Sequence, residues 1–545
     1  MPVTPAHSSL RRGGNLLPAD GVPMRPRRGD DAARSLDPPM TSTVRPVALR
    51  IGGFHVPDWA IWAAVGLLAG GSPVLAEALG LPTRYVLYGS LALVLTGVMP
   101  VMTATAGSLV QLLWILFILS LQLELAWAPV HWGFAKVAGP YGILISPTLL
   151  IGALLAAIWS LQWVWAQRAS GLFTGTGFRL AAACFLGTAL LSLVRSPDRS
   201  LSAYGVFEIL SCILTAVVAA NACSTRSGAI VLAPTLMAVM VIQSAVIFAE
   251  QILGVQFSLA TGFNSDYGWS DGSAGRFAGT FGAPSVVATY LAVCLFFAFG
   301  RLFSKRPPRQ ASWVGVLFGI GFCALLLSRT RSAWIGFTIG SLGLARWSFR
   351  NGTISRRMCV RLAAVGFCAA LAAWPLVQRR LAEDHEEAAA VRGNLVTIAM
   401  AMITANPLNG VGVNNATNQV YKYAASAGVE GWVFIVHNQY LLVASETGLP
   451  GLAAFLFVIA VGLRAAYRCM TAADVVVRET GAVLFWSLIS LVWALNLDHV
   501  SGCKTYFLLW FLIGAACGLQ ALARSDEQPT ATVAGVPRGT QRNGV

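Results

Sequence analysis

Charged residues are scarce in this sequence. Only 11% of its 545 residues are Asp, Glu, Lys or Arg, whereas 56% are hydrophobic, and the mean hydropathy is +0.67. Soluble domains carry about 25% charged residues, so this deficit excludes an ordinary soluble enzyme. Apolar runs of about 20 residues, long enough to cross a bilayer as a helix, recur along almost the whole chain. The sequence therefore predicts an all-α integral membrane protein.

Several other patterns are missing as well. The strands of about ten residues with alternating polarity that a transmembrane barrel needs do not occur. The ten cysteines form no Cys-x-x-Cys pair and lie mostly within apolar runs, which argues against a metal site or a disulfide framework. The formal charge of +15 comes without a nucleic-acid-binding motif, and in a membrane protein it mainly reports orientation. We expect no nucleic-acid partner and no cofactor.

About 12 to 14 transmembrane helices are expected between two polar tails. Residues 1–50, rich in Pro, Gly, Ser and Arg, are predicted to be a disordered cytoplasmic tail and not a signal peptide. A transmembrane bundle is expected at 51–377, a large loop at 378–437, C-terminal transmembrane helices at 438–523 and a second cytoplasmic tail at 524–545. The candidate spans are 59–80, 85–103, 108–130, 141–166, 178–194, 202–221, 228–254, 283–303, 311–328, 332–349, 358–377, 438–463, 480–497 and 502–523.

Clusters of Arg and Lys set the expected orientation. They concentrate in alternate loops, at 301–309, 346–361 and 464–478. The positive-inside rule places these loops in the cytoplasm, together with the Arg-rich N-terminus. An even number of spans then puts both termini in the cytoplasm and the loop at 378–437 outside.

Two arginines occupy a short outward turn, Ser328-Arg329-Thr330-Arg331, where the positive-inside rule disfavours them. They are either interfacial anchors that reach the headgroups or part of an anion site, because Arg binds phosphate in a bidentate manner and keeps its charge. Arg276 stands before a Gly- and Pro-containing turn that leads into a predicted span. It either joins a surface ion pair or is presented at the mouth of the bundle.

The long outward loop holds further candidates. Arg392 opens a stretch compatible with an amphipathic helix of about 12 residues that stops at Asn406-Pro407. His437 precedes the next span, where it either caps a helix or, as a neutral imidazole, accepts a proton from a hydroxyl. Glu446 lies within that span and is expected to pack or orient. The acidic run at 383–387 predicts a solvated surface, with metal binding as the weaker alternative.

Three stretches with a shared order and spacing carry a resemblance. They are Thr330-Arg331-Ser332-Ala333-Trp334-Ile335-Gly336, then Arg392 ahead of Asn406-Pro407-Leu408-Asn409-Gly410-Val411-Gly412, then His437-Asn438-Gln439-Tyr440 with Glu446-Thr447-Gly448-Leu449-Pro450-Gly451. Together they resemble the O-antigen ligase and O-antigen polymerase superfamily. The likeness is most specific over about 270–460, and the N-terminal half resembles the family only as a run of spans.

The resemblance implies a GT-C-like fold and an inverting, metal-independent glycosyltransferase in the bacterial inner membrane, with its active site in the periplasm. The donor would be an undecaprenyl-diphosphate-linked glycan. The acceptor would be lipid A–core for a ligase, or another lipid-linked glycan for a polymerase of O-antigen or exopolysaccharide. The long loop would then act as a lid over both sugars.

Family roles carry over to named positions of this sequence. In the family, loop arginines bind the diphosphate and a loop histidine is the catalytic base. The resemblance assigns the base to His437. It assigns diphosphate binding to Arg276, Arg331 and Arg392, with Arg329 as an additional basic candidate beside the usual Ser-Arg pattern, and leaves Asn438 and Glu446 as supporting residues.

A flippase or other transporter of lipid-linked glycans is the alternative from another class. It would also need a basic cavity, and it predicts charged residues along a mid-membrane path. Glu124, Glu208 and Glu250 are candidates for such a path. The Arg and His candidates are instead expected on one face, which favours the enzyme.

Overall fold

The computed structural model describes residues 49–51, 54–56, 108–124, 126–130, 139–166, 175–254, 277–281, 283–304, 311–357, 374, 378, 386–426, 436–498 and 504–527. All of these residues belong to one compact unit that runs from Val47 to Val545. The described part is almost entirely α-helical, apart from one short antiparallel hairpin.

The strands and helices follow one another in this order. The hairpin pairs β1 (Leu49–Ile51) with β2 (Phe54–Val56), with Arg50 opposite His55. The helices are α1 (Leu109–Ser120), α2 (Pro147–Ala166), α3 (Thr176–Val194), α4 (Arg199–Cys223), α5 (Arg226–Leu253), α6 (Pro284–Leu302), α7 (Ala311–Leu327), α8 (Arg331–Arg350), α9 (Glu386–Ala405), α10 (Ala416–Ser426), α11 (Gln439–Cys469), α12 (Val475–Ala494) and α13 (Lys504–Glu527).

Eight of the described helices, α2 to α6 and α11 to α13, are long and apolar enough to cross a membrane. Large apolar side chains such as Leu150 and Leu191 are more than half exposed on these helices, as lipid contact requires. The prediction of an all-α polytopic membrane protein is confirmed. The predicted spans at 59–80, 85–103 and 358–377 lie outside the described residues.

Polar side chains at the first turns fix where several helices begin. Asp198, Thr225, Asn438 and Asp474 precede α4, α5, α11 and α12, and each accepts hydrogen bonds from backbone N–H groups of the first turn. Such N-caps satisfy donors that have no partner within the helix. The caps therefore set helix starts that hydropathy alone leaves undefined.

Small residues allow the central helices to pack closely. Gly514 and Gly518 of α13 lie directly against the main chain of Ala216 and Ala220 of α4, with no space for a Cβ atom. This spacing of four residues on both helices is the small-xxx-small pattern that brings membrane helices together by van der Waals contact. The two helices run parallel, since both residue numbers rise together along the contact.

A second close contact determines the end of the bundle at which the predicted site lies. On α8, Gly336 packs against the Ser490 carbonyl of α12, and Gly340 packs against the Trp486 carbonyl. Residue numbers rise on one helix as they fall on the other, so the two helices are antiparallel. The N-terminal end of α8, which begins with Arg331, therefore lies beside the C-terminal end of α12.

Candidate active site

His437 is held in place by the residues that follow it. It precedes Asn438, whose side chain caps α11, and residues 438 to 440 all bond to the C-terminal end of α12. The bonds join Asn438 Nδ2 to the Asn496 carbonyl (3.1 Å), Gln439 N to the Leu495 carbonyl (2.9 Å) and Tyr440 Oη to the Val492 carbonyl (2.7 Å). Asn438 thus fixes the backbone next to His437 against the end of α12.

Asp498, just beyond α12, faces His437. Its Oδ1 lies 3.6 Å from His437 Nδ1, and the two side chains are 24% and 28% exposed. A carboxylate on this side favours the tautomer with its proton on Nδ1, which makes Nε2 the proton acceptor. The pair has the arrangement of a general base and its orienting group.

Sequence reasoning did not identify Asp498 as a site residue. The available signal was an acidic residue in the very short loop between the last two predicted spans, the first of which ends at 497 while the second begins at 502. Asp498 comes to lie beside His437 through the packing of α11 against α12, a contact between segments about 60 residues apart in sequence.

The turn that carries Arg329 and Arg331 is tight and packed. Arg329 adopts φ +49°, a left-handed conformation that is uncommon for a residue other than glycine. Thr330 is buried, and its hydroxyl donates to the Pro284 carbonyl at the start of α6 (3.3 Å). Both arginines are partly buried. The antiparallel packing of α8 and α12 places this turn at the same end of the bundle as Asp498.

Arg276 itself lies outside the described residues, but the turn that follows it is described. Gly279 has φ +61°, and a Cβ atom there would meet the Gln243 amide oxygen at 2.6 Å. The Gly279 N–H donates to the Glu250 carboxylate (2.9 Å). The sharp turn predicted from Gly and Pro is therefore present. It is anchored on the last turns of α5, so Glu250 serves this turn near a helix end.

The helix predicted after Arg392 is present as α9. It is longer than expected at its N-terminal end, and it ends at Ala405, directly before Asn406-Pro407 as predicted. Its buried residues share a small hydrophobic core with Val436 and Leu442, on either side of His437. Arg392 is exposed. The structure thus joins the helix of Arg392 to the His437 segment through a common core.

The motif residues after α9 fill a break in α11. Gly448 has φ +76° inside α11, and Pro450 has no N–H to donate to the Glu446 carbonyl. The segment 407–412 supplies the missing partners. The bonds join Gly412 N to Glu446 O (3.0 Å), Val411 N to Ser445 O (2.8 Å) and Leu449 N to Pro407 O (2.8 Å). The two family motifs are therefore complementary halves of one backbone structure.

Glu446 contacts the start of α10. The side chain is buried, and its carboxylate accepts the Ala416 N–H at the start of α10 (3.3 Å). The neighbouring Asn414 and Asn415 donate to main-chain carbonyls at Pro140, Leu201 and Asp198. The segment 407–415 is thus packed into the bundle by these hydrogen bonds. This part of the long loop therefore does not form the lid over both sugars that was expected from the family resemblance.

Lys504 is a further charged group that sequence reasoning did not select. It begins α13 six residues after Asp498, is only 7% exposed, and lies within electrostatic reach of Glu124. Burial raises the pKa of the nearby Tyr141, and Glu124 raises it further, which keeps this hydroxyl protonated. Glu124 is therefore the centre of a charge-compensated cluster at the end of the bundle where His437 lies.

Among the described residues, His, Cys, Asp and Glu side chains nowhere form a group of three or more that could hold a metal ion. The side chains of the acidic run at 383–387 lie outside the described residues, and their predicted solvated role stays a prediction.

Residues 316–456 match a family model described as O-Antigen ligase. This segment of the chain is similar to the O-antigen ligase family. This confirms the resemblance to the ligase and polymerase superfamily that the motifs indicated. The domain covers about a quarter of the chain, from α7 to just beyond the break in α11. It includes Arg329, Arg331, Arg392, His437 and Glu446, whereas Asp498 and Lys504 lie beyond it.

The O-antigen ligase domain defines a general activity. Its family implies a glycosyltransferase or ligase function that acts on lipid-linked glycans within the membrane. No curated protein matches the chain. The individual roles of the Arg and His residues stay predictions.

Proposed function

We propose that this protein is an inverting, metal-independent glycosyltransferase of the periplasmic face of the inner membrane. It moves a glycan from undecaprenyl diphosphate to a sugar hydroxyl of an acceptor. The observation that carries the proposal is the His437–Asp498 pair, 3.6 Å apart, at the same end of the bundle as the Arg329–Arg331 turn. A base and anion-binding groups at one membrane surface are what this transfer needs.

The donor requires little activation, because a diphosphate is already a good leaving group. His437 Nε2 takes the proton from the acceptor hydroxyl, and that oxygen attacks the anomeric carbon from the side opposite the diphosphate. The bond between the anomeric carbon and the diphosphate oxygen breaks, and its electron pair leaves with the diphosphate. The configuration at the anomeric carbon is therefore inverted.

Positively charged side chains stabilise the leaving diphosphate in this scheme. Arg331 begins α8, and Arg276 and Arg392 are proposed to join it from the neighbouring segments. Fixed charges in a partly dehydrated site stabilise developing negative charge without moving during the reaction. Asp498 takes no proton in this scheme. It orients His437 and stabilises its protonated form.

The direct test uses the full-length protein in nanodiscs with lipid-diphosphate-linked oligosaccharide, with and without lipid A–core. We expect glycan to leave the diphosphate in the wild type and turnover to fall by about 10²- to 10⁴-fold in His437→Gln, the usual contribution of a general base. His7→Gln, a histidine in the N-terminal segment, is the matched control and should keep full activity. Near-normal turnover of a folded His437→Gln protein would remove His437 from the mechanism.

The products of the same reaction identify the acceptor. Glycan on lipid A–core would define a ligase, and a ladder of longer lipid-linked chains would define a polymerase. If neither product formed while the protein moved lipid-linked glycan across liposomes, the transferase proposal would be wrong and a transporter would replace it.

A further inference from the structure

A cleft opens between α3, α11 and α13 at the end of the bundle away from His437. Its volume is about 410 Å³. Arg464 lies 25 residues along α11 from Gln439, which corresponds to roughly 35 Å at 1.5 Å per residue. This cleft is therefore remote from the proposed active site.

Three arginines line this cleft. Arg464 and Arg468 extend from α11 and Arg524 from α13, and no described residue that lines the cleft is acidic. The opposite wall includes Gly175 and Thr176 at the N-terminus of α3, where no side chain caps the first turn. A helix N-terminus adds partial positive charge. The charged side chains that line the described cleft are thus all positive, and the neutral Thr176 and Gln520 complete its polar lining.

A second cleft at this end of the bundle provides a contrast. It lies between α5, α6 and α12 and contains comparable arginines, but its charges are balanced. Arg226 pairs with Asp474 at 2.7 Å, and Glu479 accepts a hydrogen bond from Ser304 (2.7 Å). The excess of positive charge is therefore a property of the first cleft and not of every opening at this surface.

The rest of the first cleft is apolar. Its walls include Phe178, Phe457, Val461, Ala465 and Ala521, on the same three helices. A soluble phosphate would use only the arginine end, whereas a phospholipid would place its phosphate there and its acyl chains along the apolar wall. The side chains of all three arginines are exposed, and they line this concave site beside its apolar wall.

We propose that this cleft binds the phosphate headgroup of an anionic phospholipid. Under the orientation proposed above, this lipid belongs to the cytoplasmic leaflet, where basic pockets between helices bind anionic headgroups. The bound lipid joins α3, α11 and α13 at the end that is distant from the catalytic groups. Its binding is separate from glycan transfer.

The test compares full-length protein in phosphatidylcholine nanodiscs with and without phosphatidylglycerol. Native mass spectrometry counts the retained phosphatidylglycerol, and thermal unfolding measures the shift in Tm. The triple variant Arg464→Gln, Arg468→Gln, Arg524→Gln should weaken retention by about fivefold for each arginine removed. The control variant Arg346→Gln, Arg350→Gln, Arg356→Gln removes the same charge from exposed positions at or just beyond the end of α8 and should retain the lipid.

Two further arms identify the occupant. Ala521→Trp places a large side chain on the apolar wall and keeps all three arginines, so it should also release phosphatidylglycerol. If the triple variant does not fold, Ala521→Trp alone tests whether the cleft binds the lipid. Inorganic phosphate and pyrophosphate, added to phosphatidylcholine nanodiscs, should leave Tm unchanged. The proposal fails if those anions reproduce the Tm shift, if the α8 control loses the lipid equally, or if Ala521→Trp retains it. Glycan transfer is not the readout, so a failed transferase proposal would not affect this result.

Discussion

Replacement of Asp498 by Asn tests the proposed catalytic pair most directly. The change keeps the size of the side chain and removes the charge that faces His437 Nδ1. Two unit charges 3.6 Å apart gain roughly 1 kcal/mol at the dielectric constant of water and roughly 2 kcal/mol at half that value. Both side chains are about one quarter exposed, so this range is appropriate. It corresponds to a fall in kcat of about 5- to 30-fold.

The assay is glycan transfer by the full-length protein at saturating donor. Asp198→Asn is the matched control, because it makes the same chemical change at the same end of the bundle and Asn caps a helix as well as Asp does. The decisive comparison is the double variant His437→Gln, Asp498→Asn. If Asp498 acts only through His437, the second change should cause no further loss in the His437→Gln background.

Two results would refute this reasoning. One is an Asp498→Asn protein that is folded and keeps kcat within about twofold of the wild type, since even the weakest pairing energy predicts more. The other is a further loss of several-fold when Asp498→Asn is added to His437→Gln. That second result would give Asp498 a role of its own.

Three other changes test separate parts of the site. Gly410→Ala should destabilise the protein by about 1–3 kcal/mol in thermal unfolding, because φ is +64° and a Cβ atom would collide with the main chain at Glu446. The control Gly393→Ala has open space around its new methyl group within α9, so it should be neutral or stabilising. Arg331→Gln should lower kcat in the transfer assay by about 100-fold or more. Arg329→Gln should lower it by about tenfold or less, because Arg329 is the residue with the left-handed backbone conformation. Equal losses of kcat would mean that both arginines bind the diphosphate. Asp474→Ala removes the cap of α12 and should cost about 1 kcal/mol at neutral pH. Partial burial raises the pKa of the Asp474 carboxyl, but two backbone N–H bonds and the arginine partner outweigh burial and hold this pKa below its ordinary value. Its contribution is therefore complete above the unfolded-state pKa and is lost as pH falls through the folded-state pKa, so the Tm difference from wild type should shrink in acid.

Hydropathy and local signals predicted the elements well. Helix α9 ends at Asn406-Pro407 because proline and turn residues stop a helix. The sharp turn after Arg276 is present because only glycine fits the backbone at Gly279. These predictions rest on interactions between residues close in sequence, which a single sequence contains.

Contacts between distant segments could not be predicted in the same way. The sequence placed Glu446 within a span broken by Gly and Pro, but not the segment 407–412 that fills the break. Asp498 was only one acid in a short loop until the packing of α11 on α12 brought it to His437. Hydropathy gives the depth of a residue in the membrane, but not which helices are neighbours, and the site depends on those neighbours.

The break in α11 gives the family motifs a structural role. The first half of α11 runs from Gln439 to about Gly448, roughly 13 Å, with His437 at its outer end. The outer end is bonded to α12, and the inner end is bonded to the segment 407–412. A short half-helix held at both ends cannot rotate without breaking one of these sets of bonds. The backbone that leads into His437 is therefore held at the inner end of this half-helix by two glycine-containing segments, 407–412 and 448–451.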